Sequence, residues 1–358
     1  MGGPPVSEPG RMETERLILR AYTDDDAGSV LDIHSRMDVV RWLSNPPFVL
    51  MKTLDEARSR IVEWRERDAT NEHVVHYAIE VKDTGAMVGA VAISQLPNDT
   101  EGGHEVGWHL HPDAAGHGYA TEAATALLDA WFPTGLDEIW CTMYPDNEPS
   151  ARVAQRIGLV DLGIAPDPWY GDDSHLFRTT RELWAGRILT ERLILRPFAA
   201  EDADFLFDMF RRPEVARWSS GGTPMTHRDE AVARIGRHPA RIGDRPEAGI
   251  FLATSRESGA RLGMAMLVPI PASAGTGRDD MEIGWHFHPD AWGHGFATEA
   301  AEALVDRAFT ADIPELYAVT DPLNAPSQAV CLRLGMTDLG LRTDWYDKEL
   351  RAFRLDRP

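Results

Sequence analysis

The chain has 358 residues, 43% of them hydrophobic and 26% charged, with a formal net charge of −21. That length suits two domains of ordinary size, and no apolar run approaches the ~20 residues of a membrane-spanning helix. The acidic balance argues against a nucleic-acid partner, whose affinity comes mostly from cations meeting phosphates; it disfavours polyanionic ligands, and it either attracts cationic ones such as amines or merely keeps the chain in solution.

Met1–Gly10 is rich in Gly and Pro and lacks the basic start and apolar stretch of a secretory signal. A disordered tail is expected over 1–12. Thr14-Glu-Arg-Leu-Ile-Leu-Arg20 reads as a short apolar strand opening a first domain over 13–184. Asp24-Asp25-Asp26 then starts a helix, where carboxylates suit the N-terminal dipole. A second helix is expected near Leu54–Arg67, followed by strands at Val74–Val81, Met87–Ser94 and Glu105–His111. A turn holding Gly116 and Gly118 leads into a helix with one apolar stripe: Ala120, Ala123, Ala124, Leu127, Leu128 and Trp131. A strand at Glu138–Met143, a helix at Ser150–Ile157 and two closing strands complete the half.

The series then repeats. Gly107–Ala124 and Gly284–Ala301 agree at 15 of 18 positions, at an offset of 177. Thr14–Arg20 returns as Thr190–Arg196, Val40-Arg41-Trp42 as Ala216-Arg217-Trp218, and Trp169-Tyr170 as Trp345-Tyr346. Asn147-Glu-Pro-Ser150 returns as Asn324-Ala-Pro-Ser327. Solenoid repeats have periods of ~20–50 residues, so this is a duplicated domain, the second copy spanning 187–358 with Gly186 as hinge candidate. Its second helix is expected at Thr226–Arg237, its central strands at Gly249–Thr254, Leu262–Ile270 and Met281–His288. Cys141 and Cys331 fall in different repeats, each in an apolar run, and read as core residues of a reducing, cytoplasmic compartment. His109 and His111 share a strand face but have no third ligand in sequence, so no metal is expected.

Gly116 and Gly118 let the backbone approach a ligand closely and adopt positive φ. The free N–H groups of the following helix turn then suit a pyrophosphate, the alternative being that the glycine pair only makes a tight turn. The turn lacks the third glycine of a dinucleotide fingerprint and the Lys-Ser/Thr of a P-loop. Four features recur in order in both halves: the Thr-Glu-Arg-Leu-x-Leu-Arg strand, Glu-x-Gly-Trp, Gly-x-Gly-[Tyr/Phe]-Ala-Thr-Glu-Ala, and Asn-x-x-Ser. With them the chain resembles a tandem GNAT-superfamily N-acetyltransferase, each half similar to the RimJ/RimL group.

The resemblance implies an α/β fold of two tandem GNAT domains, each with a mixed sheet and a splayed strand pair that receives pantetheine. It implies acetyl-coenzyme A as donor and a primary amine as acceptor, either a protein or peptide N-terminus or a small cationic amine such as an antibiotic. Backbone groups near Leu110 and Phe287 would pair with pantetheine. Gly116, His117, Gly118, Ala120 and Thr121 would hold the pyrophosphate in one copy, and Gly293, His294, Gly295, Ala297 and Thr298 in the other. Asn147 and Asn324 would bond the pantetheine amides, and Ser150 and Ser327 would protonate the leaving thiolate. Family members often place Gln or Arg first in the phosphate turn and a Tyr on the later helix; Ala115, Trp292, Ala154 and Cys331 stand there instead.

An amine must be neutral to attack a thioester, so a general base is useful. Glu105 and Glu282, just before the turn, are the candidates, either as bases through water or as structural hydrogen-bond partners. Trp42, Trp218, Tyr170 and Tyr346 either wall the acceptor site or pack the core; Asp173 and Glu349 either line the pocket or are solvated turn carboxylates. The expected state is monomer or homodimer. A non-catalytic coenzyme A sensor or assembly module is the alternative reading.

Overall fold

The computed structural model describes residues 10–219, 221–275 and 277–358. The chain divides into two compact units between Arg181 and Glu182. In the first, the elements run β1 (Arg11–Glu13), β2 (Leu17–Ala21), α1 (Ala27–His34), α2 (Met37–Val40), α3 (Leu54–Thr70) and β3 (Val75–Val81). Then come β4 (Ala86–Gln95), β5 (His104–Leu110), α4 (Tyr119–Trp131), β6 (Glu138–Met143), α5 (Glu148–Arg156), β7 (Val160–Pro166) and β8 (Asp173–Thr180). A short helix, α6 (Arg181–Ala185), runs through the point of division in the sequence, and the Gly186 N–H donates to the Glu182 carbonyl at 2.9 Å.

The second unit contains β9 (Ile188–Leu189), β10 (Leu193–Pro197), α7 (Ala203–Phe210), α8 (Pro213–Ala216), α9 (Arg228–Gly236), α10 (His238–Ile242) and β11 (Gly249–Ser255). It ends with β12 (Arg261–Pro269), β13 (Met281–Phe287), α11 (Phe296–Thr310), β14 (Glu315–Thr320), α12 (Ala325–Arg333), β15 (Thr337–Arg342) and β16 (Leu350–Asp356). Each unit holds an eight-stranded sheet of the same topology, β1-β2-β3-β4-β5-β6-β8-β7 in one and β9-β10-β11-β12-β13-β14-β16-β15 in the other. All neighbours are antiparallel except β5–β6 and β13–β14.

Of the tail expected over 1–12, residues 1–9 lie outside the described residues. The remainder is corrected at Arg11 and Met12, which pair with Arg20 and Leu19 in β1–β2. Alternation decides it: Met12 points into the core, 5% exposed, between outward Arg11 and Glu13. The expected helix over Thr226–Arg237 stops at Gly236 and α10 restarts with Pro239 in its first turn, since proline has no N–H to continue a helix.

The two faces of each sheet are covered by different helices. In the second unit α11 buries Ala300, Ala301, Leu304 and Ala308 against Leu195, Phe251 and Ile283. On the opposite face, Leu206, Met209 and Phe210 of α7 and Ala231 of α9 meet Ile250, Met264 and Val268. In the first unit Val30, Ala57, Ile61 and Trp64 pack on Ala78 and Ala90. The α4 stripe buries Leu127 and Leu128 fully, each contributing about 1.5–3 kcal/mol. The acidic residues after the opening strands stand in the first helical turn, as expected, and two of them do more than match the dipole. Asp26 accepts from Arg20 at 2.8 and 2.9 Å, and fully buried Asp202 accepts from Arg196 at 2.7 and 2.8 Å. These pairs tie strand ends β2 and β10 to the helices that follow. Among the described residues, no helix is long and apolar enough to cross a membrane, and Cys141 and Cys331 are free and buried.

Candidate active site

In both units the Gly turn takes the conformation its glycines permit. Gly116 and Gly118 have φ of 80°, Gly293 and Gly295 of 79° and 81°, values costly for residues with a Cβ. Gly118 and Gly295 are the N-caps of α4 and α11, and no side chain caps either helix. The first-turn N–H groups are therefore left for an anion, with the positive end of the helix dipole behind them.

The turn is braced from the opening strand. The Arg16 backbone N–H donates to Glu122 Oε1 at 2.8 Å, its Nε to Oε2 at 2.7 Å, and its Nη1 to the His117 carbonyl at 2.8 Å. Thr14 donates to the same carboxylate. Arg192, Thr190, Glu299 and the His294 carbonyl repeat the arrangement. This explains the duplicated Thr-x-Arg and the Glu of Ala-Thr-Glu-Ala, to which sequence reasoning assigned no role. Both motifs were legible, but the partners lie 106 and 107 residues apart. In the second unit Arg333 adds another cation, donating to Thr298 Oγ1 at 2.7 Å.

β5 and β6 pair at a single position, Glu105 opposite Trp140, although β5 runs on to Leu110. β13 and β14 likewise pair only at Glu282 and Tyr317. Beyond those points one backbone edge of β5 and of β13 is free to accept an extended ligand as a strand.

At the fork of each strand pair sits the glutamate. Glu105 accepts from Thr142 Oγ1 at 3.1 Å and from the Tyr170 hydroxyl. Burial pushes its carboxyl above the ordinary range, against the Tyr170 and Thr142 bonds. Glu282 is 4% exposed. It accepts from the Tyr346 hydroxyl and, at 3.3 Å, from Arg241, which also donates to the Tyr346 oxygen at 2.7 Å. Burial pushes Glu282 up to about 7, opposed by Tyr346 and Arg241. Burial and the facing carboxylates also raise Tyr170 and Tyr346, which keeps them proton donors.

One cleft in each unit, of 1590 Å³ and 1980 Å³, gathers nearly all the candidates. Trp42, Glu105, Leu110, Gly116, Gly118, Ala120, Thr121, Asn147, Ser150 and Tyr170 line the first. Trp218, Glu282, Phe287, Gly293, Gly295, Ala297, Thr298, Asn324, Ser327 and Tyr346 line the second. The His117 and His294 side chains do not line them: their Nδ1 atoms face the Ala115 and Trp292 carbonyls at 3.0 and 2.8 Å, and their rings stack on Tyr119 and Phe296. Asn147 and Asn324 use Oδ1 to cap α5 and α12, accepting from Ser150 and Ser327 N–H at 3.3 Å, which fixes both serines in the clefts. Trp42 and Trp218 are half-buried at the cleft walls under Arg41 and Arg217. Asp173 and Glu349 stand exposed at the cleft mouths. His109 packs against the His34 ring while His111 turns to Asp32 at 3.2 Å, so the pair does not converge. No group of three metal-ligating side chains occurs among the described residues.

A model of the acetyltransferase (GNAT) domain matches residues 16–160 and again residues 192–337. The chain belongs to the GNAT family. It is a GNAT-family N-acetyltransferase with two such domains in tandem. The uncharacterized N-acetyltransferase YoaA of Bacillus subtilis is 28% identical over 156 residues, 43% of this chain and 84% of that protein. The uncharacterized N-acetyltransferase p20 of Bacillus licheniformis is 32% identical over 165 residues, 45% of this chain and 87% of that protein. Among solved structures, RimJ of Mycobacterium smegmatis in complex with CoA-disulfide is similar, with a TM-score of 0.40 and 22% identity, covering 46% of this chain and 81% of that one.

Proposed function

We propose that both GNAT domains bind acetyl-coenzyme A and acetylate a primary amine by direct attack in a ternary complex. One observation carries the reading: in each domain a glutamate (half-buried Glu105, buried Glu282), a serine held by an asparagine cap, a free strand edge and a positive-φ turn open into one cleft. The residues fit the donor. The free edges of β5 and β13 suit an amide-bearing arm, and the uncapped helix N-termini suit a pyrophosphate. Arg16, Arg192 and Arg333 supply local cations against the acidic charge of the whole chain. His117 and His294 contribute backbone only. Bound acetyl-coenzyme A supplies the activated acetyl thioester.

Glu105 and Glu282 take the proton from the acceptor. A lysine-like amine of pKa ~10.4 is almost wholly protonated at neutral pH, so a carboxylate whose affinity for protons is raised is a better acceptor than an ordinary one. Tyr170 and Tyr346 orient these carboxylates. Ser150 and Ser327 stand ready to give a proton to the departing sulfur.

Mixing the chain with acetyl-coenzyme A and a panel of primary amines is expected to release free thiol in step with acetylated amine. Binding of the donor with no thiol release on any amine would overturn the proposal in favour of a non-catalytic coenzyme A module. The brace predicts a second result. Glu299→Ala removes charge-assisted hydrogen bonds worth roughly 1.5 kcal/mol or more, so donor affinity at the C-terminal site drops about tenfold. Calorimetry reads this directly; unchanged affinity would show that the Arg192–Glu299 brace does not hold the turn.

A further inference from the structure

The two clefts have the same donor end and opposite charge at the other end. Asp38, Asp55, Glu56 and Glu63 line the N-terminal cleft, whereas Arg217, Arg234, Arg237 and Arg241 line the C-terminal one. The difference can be traced to one register. Counted from the N-caps Thr53 and His227, Arg60 corresponds to Arg234 and Glu63 to Arg237. In the first domain Arg60 pairs with Glu63 at 3.4 Å. In the second the carboxylate is replaced by another guanidinium, and the Arg234 guanidinium has no ion pair or hydrogen bond among the described residues. Its guanidinium lies over the Phe210 ring at 3.9 Å, and that ring meets His286 of β13 at 5.2 Å. Glu282 and His286 alternate on one face of β13, so Arg234 sits on the same wall as the proposed base. Burial, with Arg237 adding to it, pushes Arg234 down to about 10. The adjoining His238 is buried, its Nε2 has no hydrogen-bond partner among the described residues, and burial beside Arg234 and Arg237 pushes it down to about 4. A half-buried guanidinium in a cleft, with no carboxylate partner among the described residues, is matched by an anion, since Arg binds carboxylate and phosphate bidentately.

We infer that the C-terminal site takes an amine that also carries an anionic group, a carboxylate or a phosphate, held by Arg234 and Arg237. This rests on the acetyltransferase reading of the same cleft. The transfer balances without further reagents. The amine nitrogen bonds to the acetyl carbon as the carbon–sulfur bond breaks, Glu282 takes the nitrogen's proton, and the sulfur leaves as thiol with a proton from Ser327 that solvent restores. The arginines hold the anion and exchange no proton. The N-terminal cleft, with Arg60 already paired and carboxylates around it, takes the amine lacking an anion.

Full-length Glu105→Gln protein isolates the C-terminal site for the test. Two probe pairs differ only in the anion: γ-aminobutyrate against butylamine, and phosphoethanolamine against ethanolamine. At least one anionic member is expected to have a kcat/KM about tenfold or more above its partner, and the two pairs separate carboxylate from phosphate. Exposed Arg237→Glu restores the ion pair of the first domain and should abolish the preference with donor affinity unchanged. Arg234→Gln should do the same. Thiol release without preference, or a preference that survives both variants, overturns the anion proposal alone. No thiol release from any amine at either site overturns the acetyltransferase reading. In that event calorimetry of γ-aminobutyrate and phosphoethanolamine into the coenzyme A-loaded chain decides the anion site: Arg234-dependent binding of either supports it, and no such binding overturns it.

Discussion

Glu282→Gln lowers turnover at the C-terminal site by about 10²–10⁴-fold, the range of a lost general base, while the N-terminal site continues. Glutamine keeps the shape and still accepts from Tyr346, so the loss reports the proton acceptor. The pH profile adds a sign. Because burial raises Glu282 to about 7, the ionised base fills as pH rises through that value. The kcat/KM of this site should fall about tenfold per pH unit below 7 and level off above it. Stability runs the other way. A carboxyl raised from 4.5 to about 7 on folding contributes stability fully present below pH 4.5 and lost as pH climbs through 7, about 3 kcal/mol in all. The variant should therefore gain thermal stability relative to the natural chain between pH 5 and pH 8, which separates lost chemistry from lost fold. A C-terminal site whose profile is flat between pH 5 and 8 would exclude Glu282 as the base.

Gly118→Val or Gly295→Val removes donor binding from its own domain, by roughly 100-fold. A β-branched side chain at φ near 80° costs more than the ~1–2 kcal/mol of an ordinary residue there. At Gly118 the new Cβ would also crowd the Arg16 guanidinium at 3.3 Å, so pressure on the brace adds to strain in the turn; at Gly295, where Arg192 is 3.5 Å away, the strain acts by itself. Each variant should leave one functional cleft in the chain. Undiminished binding would show that the turn does not hold the donor.

Much of this architecture was legible because the chain repeats itself. Two copies of Gly-x-Gly before one apolar helical stripe located the turn and α4 with α11, and short apolar runs recurring in both halves located the central strands. What escaped was long-range. Nothing local in Thr14-Glu-Arg16 announces Glu122, and nothing in Asp26 announces Arg20, since side chains decide these pairs only once the sheet has formed. Met12 was hidden by its Gly/Pro-rich neighbours, although its alternation with Arg11 and Glu13 was a signal. The family resemblance implied a splayed strand pair, but not its fork at Glu105 and Trp140, because a strand's periodicity does not say where its neighbour leaves it. Trp42 and Trp218, core residues by default, stay half-buried because each borders a cleft, with the Arg41 and Arg217 guanidinium groups over their rings. The charge contrast between the clefts could have been read from Glu63 against Arg237, but only with the helix caps in register.

The most direct test is calorimetric titration of the whole chain with acetyl-coenzyme A, read for stoichiometry. Two equivalents are predicted, falling to one in either glycine variant. One equivalent in the natural chain would contradict the two-site account, and none at millimolar donor would contradict acetyl-coenzyme A as its ligand.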